Sequence, residues 1–522
     1  MTTRGRTLRR SGFTLIELMV ATTVTLLMIA ALSQAFAIVA QTISTNRAAL
    51  EMSGQLRGVA VRLQTDLDQL TAPLEPWLES SASLGYFEYI EGPGNDWDAN
   101  NDGSLENRFL IYGEPFQGAP RREIDADEYG DSALGDIDDV LMFTVRSSGE
   151  PFVGQVLGPL NRITNVLEYD PASEPRFETI ASDTAEIIWW TRYTDLNDNQ
   201  ARDAGEPFVV YRRVLLVRPD IALNSYLSDP TIPEMRDVFF LSANDLSVRT
   251  VRDQDSRLVR VTNSLSDLTL RENRFAHNGL LDPNIQTPSQ FPYAVSSAML
   301  IPKVNVFQGS RLIRYAAGED VMLTNALAFD VKAFDPLAQV RVYPNPNNTN
   351  QNQDAPVQRL LPGAPGYFSP NAPQNTAPAN FGGYVDLGYR IHPGYVSISN
   401  DANAGLVGSS HFSGPLLNAP NLHFDIRQPM PYDTWPLDYE RDGLDQDNSG
   451  FADQGTDGFD TPVLDPATQQ QVRRNGVDDL DERETRPPYN HPLRGIQVRI
   501  RVIDPDSRQV RQMTVAADFT PE

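Results

Sequence analysis

Three acidic loops carry the side chains best placed to do chemistry. Asp445, Asp447, Ser449, Gly450 and Asp453 stand at positions one, three, five, six and nine of a turn-rich stretch. Asp98, Asn100, Asp102, Gly103 and Glu106 repeat that spacing, and each copy has an apolar residue, Ala452 or Leu105, at position eight. Oxygen ligands alternating along a loop wrap a hard cation such as Ca2+, and glycine at the sixth position permits the sharp turn this needs. Position twelve, where strong calcium loops place a bidentate Glu, is Phe109 or Thr456, so the affinity expected is modest. A degenerate third copy, Asp195, Asn197, Asn199 and Asp203, has Gln200 where the glycine belongs. Asp, Asn and Gly are also the default residues of solvated turns, so acidic loops without an ion are the competing reading.

Other chemistry is scarce. The 522 residues hold no cysteine, which excludes disulfides, thiolate metal sites and cysteine nucleophiles. The five histidines, His277, His392, His411, His423 and His491, are scattered and read as surface or hydrogen-bonded residues. No HExxH, phosphate-binding loop, GxGxxG after a strand or GxSxG elbow occurs. Paired carboxylates are abundant, but loops this acidic always supply some, so they are no sign of a glycosidase. Trp189 and Trp190 on one strand point to opposite faces, one expected in the core and the other exposed or covered by a loop. With 43 Lys+Arg against 69 Asp+Glu the net charge is −26, so the chain repels polyphosphate and is not expected to bind nucleic acid. The reading is non-enzymatic.

One acid stands apart from the rest. Residues 1–12 contain Arg4, Arg6, Arg9 and Arg10 and no acid, and residues 13–44 are an apolar run whose only formal charge is Glu17. Basic residues before an apolar run mark the cytoplasmic side of a membrane. Thirty-two helical residues span about 48 Å, more than the ~30 Å hydrocarbon core. A carboxylate inside such a run costs roughly 2.5–3.5 kcal/mol, so it normally has a partner. Near the headgroups the cost is small, which is the plainer account of Glu17. A secretory signal peptide ending at Ala35, Phe36 and Ala37 is the alternative, although Ile38 and Val39 carry the apolar run past that site.

The segment Arg9-Arg10-Ser11-Gly12-Phe13-Thr14-Leu15-Ile16-Glu17 resembles the processing motif of type IV prepilins and type II secretion pseudopilins. The resemblance covers only about the first 45 residues. It implies cleavage between Gly12 and Phe13 by a prepilin peptidase, N-methylation of Phe13, and Glu17 at the fifth mature position. It further implies insertion in the inner membrane by a single pass, with the head outside the cytoplasm. Assembly would follow with other pilin or pseudopilin subunits, the new Phe13 amine pairing with Glu17 of a neighbour. The layout of the later strands is similar to the J-type minor pseudopilins or the PilW-type minor pilins, and Glu17 itself argues against the K-type, which typically lacks it.

The elements that must carry these residues follow from periodicity. Met52, Leu56, Val59, Leu63, Leu67 and Leu70 recur every three or four residues, which continues the helix of residues 13–44 to about residue 70, where Pro73 and Pro76 end it. Strands are expected at 139–146, 186–193, 208–218 and 326–334. A closing hairpin at 495–503 and 509–519 turns through Asp504-Pro505-Asp506-Ser507. Two helical interruptions are expected, at 244–248 and 262–274. The fold class is therefore α+β and pilin-like: a long N-terminal transmembrane helix packed on an antiparallel sheet with large loop-rich insertions. The expected division is a leader at 1–12, the long helix at 13–72, a first part of the head at 73–337, a loop-rich acidic insertion at 338–490, and the completing hairpin at 491–522. Between residues 438 and 486, fourteen acids oppose five arginines.

These readings converge on a minor pilin or pseudopilin that requires no cofactor, with Ca2+ as an accessory ion. The alternative is a secreted, calcium-stabilised binding or hydrolytic protein released after Ala37. Calcium binding at the acidic loops predicts a raised melting temperature and measurable heat on titration of the head with Ca2+; a flat titration with an unchanged melting temperature removes the ion.

Overall fold

The computed structural model describes residues 14–74, 84–91, 137, 139–170, 176–193, 208–229, 240–275 except 242, 256 and 270–272, 306–308, 311–313, 321–344, 357–361, 380–387, 430–434, 459–464, 471–474, 493–505 and 508–519. A single 53-residue helix, α1 (Leu15–Leu67), opens the fold. At ~1.5 Å per residue it is about 80 Å long. Gly54 and Gly58 do not interrupt it. It stops at Asp68, and the chain turns so that Leu70, out of the helix, bridges to Val145 on the sheet.

The sheet has ten strands: β1 (Phe87–Glu91), β2 (Val140–Arg146), β3 (Thr184–Tyr193), β4 (Phe208–Leu216), β5 (Val321–Pro344), β6 (Val357–Leu360), β7 (Asn380–Val385), β8 (Met430–Asp433), β9 (Gly495–Ile503) and β10 (Val510–Asp518). Eight lie in the order β8-β1-β2-β3-β4-β5-β9-β10, while β6 and β7 also pair with β5. Every pairing in it is antiparallel. An apolar helix followed by an antiparallel head is the α+β arrangement that the periodicities predict. Strands β6, β7 and β8 all arise between residues 338 and 490.

Strand β5 runs to 24 residues, well beyond the expected 326–334, because it has successive partners. Its start pairs with β4 at Val321–Ala326, its middle with β9 at Ala326–Ala333, and its far half with β7 and β6, with register shifts between. Bulges of this kind bend a strand and let it serve several neighbours. At Val331 its backbone meets the β1–β2 end of the sheet: Asp139 accepts from Val331 N at 2.6 Å, and the Tyr89 hydroxyl donates to Val331 O. The Phe87 ring sits 6.3 Å from that of Phe519, just beyond β10. Strongly twisted sheets bring distant strands together in this way.

The expected hairpin forms in full register, from Gly495 opposite Asp518 to Ile503 opposite Val510. Ile496, Val498, Ile500 and Val502 are buried, and the residues between them are only half-buried, as the period-two pattern predicts. Both helical interruptions differ from expectation. Residues 244–248 are not helical. The Asn244 and Asp245 side chains instead accept from Leu157 N and Gln155 N, Leu246 bridges to Leu216, and Val248 begins a ribbon, Val248–Arg252 with Leu258–Thr262. Side chains that bond backbone far away in sequence hold this segment on the sheet rather than in a helix. Among the described residues of 262–274 there is no α-helix: Thr262 ends a ribbon strand, and Asp267–Thr269 forms a 3-10 turn capped by Ser264 and Asp267 on each other.

Both tryptophans are fully buried, at 0 % exposure. They do point to opposite faces, and both faces are covered. Trp189 looks toward α1, whereas Trp190 stacks on Tyr211 beneath the segment that contains Phe275. Glycine matters most at Gly85, which enters β1 at φ +76°; a Cβ there would fall 2.0 Å from Thr144 Oγ1. On the helix, Met52, Leu56, Val59, Leu63 and Leu67 are the buried stripe. Leu63 has no exposed surface, so Leu63→Ala should destabilise the head by about 2–5 kcal/mol, read as a lowered urea midpoint with an unchanged slope.

Candidate functional site

The helix is divided by environment. Between Leu15 and Val39 it is long and apolar enough to cross a membrane, and none of that stretch is buried against the head. Leu15, Leu26, Leu27, Met28 and Phe36 each expose more than 60 % of their surface. Four threonine hydroxyls in this half are satisfied internally. Thr22, Thr23, Thr25 and Thr42 all donate to carbonyls three or four residues back. In hydrocarbon, where no water replaces a missing partner, this self-sufficiency is required.

Glu17 begins the stem as the third residue of a capping box. Thr14 Oγ1 accepts from Glu17 N at 3.3 Å, and Glu17 Oε2 accepts from Thr14 N and Thr14 Oγ1 at 2.9 Å each. The two orphan donors at the helix start are thus paired reciprocally, and the carboxylate sits at the positive end of the helix dipole. The spacing Thr14-x-x-Glu17 is the sequence signal for this box, and the resemblance to prepilins drew attention away from it. Gly12 and Phe13 lie outside the described residues. So do Asp98, Asn100, Asp102, Glu106, Asp445, Asp447, Ser449 and Asp453, together with the third acidic loop. Among the described residues no group of three His, Asp or Glu side chains could hold a metal.

The lower half of the helix is held by charge as well as by its apolar stripe. Asp66, in the last turn, is 1 % exposed. Its Oδ2 accepts from Arg212 Nε at 2.6 Å and Trp189 Nε1 at 3.0 Å, and its Oδ1 accepts from Arg212 Nη2 at 2.8 Å. Arg62, one turn earlier, lies 3.5 Å from the same carboxylate. The Arg212 guanidinium also lies 5.9 Å from the Trp189 ring centre. An acid in the last turn opposes the helix dipole, and this turn holds no basic residue to offset it. The bidentate guanidinium, drawn from the centre of the sheet, supplies that compensation.

Sequence reasoning missed this clamp. The signal was present in Arg212-Arg213, two adjacent cations inside the apolar strand FVVYRRVLL, which must place one buried cation on each face of the sheet. Arg212 meets the helix, and Arg213 lies over Trp190 and Phe275 on the other side, 5.7 Å from each ring centre.

The family described as the prokaryotic N-terminal methylation motif is matched by residues 7–33, which include Gly12, Phe13 and Glu17. No curated protein and no solved structure is matched by the chain. The match supports the type IV pilin and pseudopilin family, whose motif this N terminus carries. Removing one partner of the buried pair leaves an uncompensated charge. Asp66→Asn, which leaves the buried Arg212 without its carboxylate, should therefore cost about 3–5 kcal/mol, and Arg212→Ala less, because Arg62 stays 3.5 Å from Asp66. A double-mutant cycle over Asp66 and Arg212, followed by urea unfolding, should return a coupling energy well above the ~1 kcal/mol of an exposed pair.

Proposed function

We propose that this type IV pilin-like chain is a minor pilin or pseudopilin. It is a structural subunit that a prepilin peptidase processes between Gly12 and Phe13 and that enters a pilus or type II secretion filament through its N-terminal helix. The observation that carries the reading is the stem. From Leu15 to Val39 the helix buries nothing of itself, yet it continues without a break into a half that is locked to the head. A soluble protein gains nothing from so much exposed apolar surface, whereas a subunit that waits in a bilayer and then packs among sister helices needs it.

Glu17 fits this role. Its carboxylate is held at the helix start, one residue from the Phe13 whose amine cleavage would create. Pairing with the amine of a neighbouring subunit would offset the cost of both charges in a dry filament core and set the register between subunits. Single-pass anchoring in the inner membrane with the head on the periplasmic side follows from Arg4, Arg6, Arg9 and Arg10 preceding the stem. The signal-peptide alternative is disfavoured because Ala35, Phe36 and Ala37 fall in the middle of the helix.

The test is the mature N terminus. The intact mass of protein recovered from membranes should show loss of residues 1–12 and gain of one methyl group; a terminus near Ile38 would establish the secreted alternative. Glu17→Ala should leave cleavage intact and strongly reduce recovery in sheared filaments, and undiminished incorporation would count against the charge pairing.

A further inference from the structure

The face of the sheet away from α1 holds a second buried charge cluster with no part in the stem. Glu88 on β1 and Arg274 form an ion pair at 3.0 Å with both side chains at 0 % exposure. Every donor atom of that guanidinium is committed, for Nε donates to Leu268 O and Nη2 to Thr269 O. Its plane lies 4.2 Å from the Tyr86 ring centre. Beside this pair stands Glu186 on β3, 1 % exposed. It accepts from three neutral donors: the Tyr86 hydroxyl at 2.6 Å, Ser247 Oγ at 2.7 Å and Phe275 N at 2.9 Å. Among the described residues Glu186 forms no ion pair.

The groups facing Glu186 can be taken element by element. From the first strand come Tyr86, just before β1, and Glu88 within it, from β2 its neutral cross-strand partner Thr144, and from β4 its partner Leu215. Arg213 of β4 lies on the same face but over the Trp190 and Phe275 rings. From the covering segment come Ser247, which also accepts from Asn263 Nδ2 at 3.0 Å, the Phe275 amide, and Arg274. Among the described residues, two buried carboxylates thus lie near one guanidinium, that of Arg274, which is bonded to Glu88. An ionised carboxylate with no ion pair at this depth is costlier than the neutral acid, which still accepts from Tyr86 and Phe275 and turns its own O–H toward Ser247 Oγ. Desolvation accordingly outweighs the three donors and raises the titration of Glu186 above the usual carboxylate value of 4.5.

We propose that this cluster is a proton-dependent latch, in which the neutral Glu186 carboxyl holds the covering layer to the sheet at Ser247 and Phe275, and rising pH releases that layer. The sign follows from linkage. The folded state keeps a proton that the unlatched state gives up, so the latch is fully closed below the ordinary carboxylate value and weakens as pH rises through the raised value of Glu186. The layer that would lift carries Ser247, the ribbon Val248–Arg252 with Leu258–Thr262, and the Asp267–Thr269 turn. This concerns the head alone and is independent of N-terminal processing.

Hydrogen–deuterium exchange on the full chain in detergent, from mildly acidic to mildly alkaline pH and corrected for intrinsic exchange, tests it. Peptides containing Ser247 and Phe275 should lose protection about tenfold per pH unit beyond the titration of Glu186, while peptides from β9 and β10 stay constant. Glu186→Gln mimics the neutral acid, donating to Ser247 and accepting from Tyr86 and Phe275, and should give pH-independent protection. Should that variant not fold, the infrared carbonyl band of a protonated carboxyl in the wild-type protein must vanish over the same pH range in which protection is lost. Protection of the Ser247 and Phe275 peptides that does not change with pH in the wild-type protein, or a Glu186→Gln variant with the wild-type slope, overturns the latch.

Discussion

A buried carboxylate at the end of a long helix governs how the two halves of this molecule act as one. An 80 Å rod attached to a head over its last few turns is a lever (~1.5 Å per residue), and force on the stem is resisted along the docked half from Met52 to Leu67. Leu63 and Leu67 fill that interface with apolar surface, which resists separation but has little directional preference. Asp66 adds direction. Its three close donors come from two adjacent strands, β3 and β4, so the helix is held against rotation as well as lifting. The pair is also self-consistent in charge: Arg212 without Asp66 would be a buried cation lacking its carboxylate, and Asp66 without Arg212 would keep only the half-exposed Arg62 at 3.5 Å.

The same requirement shapes the sheet. A strand buried on both sides has no solvent face, and β3 shows what this demands: Ile187 and Trp189 face the helix, while Glu186, Ile188 and Trp190 face the covering layer. Each polar group on such a strand must then find a partner inside the protein. Arg212 and Glu186 do so on opposite faces, with Asp66 on one side and with Tyr86, Ser247 and Phe275 on the other. The head is therefore a three-layered body in which both interfaces are fastened by buried charge or polar networks. Much of the acidic excess lies elsewhere in the sequence: fourteen acids oppose five arginines between residues 438 and 486.

Helix packing and sheet layout also explain the division of labour along α1. The stem needs an apolar surface with internally satisfied hydroxyls, and it has one. The lower half needs one apolar stripe and a specific anchor, and the stripe gives way to Asp66 within a turn of the helix end. Thr14 and Glu17 cap the other end, so the helix has a defined start inside the stretch, residues 7–33, that the family motif matches.

Features set by local chemistry were legible in the sequence alone. The stem, the Met52-to-Leu67 stripe and the closing hairpin each arise from a repeat of about 3.6 or 2 residues, and their burial follows from geometry that any such segment obeys. The N-terminal methylation motif is equally local, a run of adjacent residues within 7–33. Residues 244–248 and 262–274 misled because their weak stripes were overridden by side chains bonding distant backbone, as Asn244 does at Leu157. The partners of Asp66 and Glu186 belonged to tertiary structure entirely. Asp66 and Arg212 are 146 residues apart and Tyr86 and Glu186 are 100 apart. No periodicity connects such positions, and only the order of strands across the sheet decides which buried charge meets which.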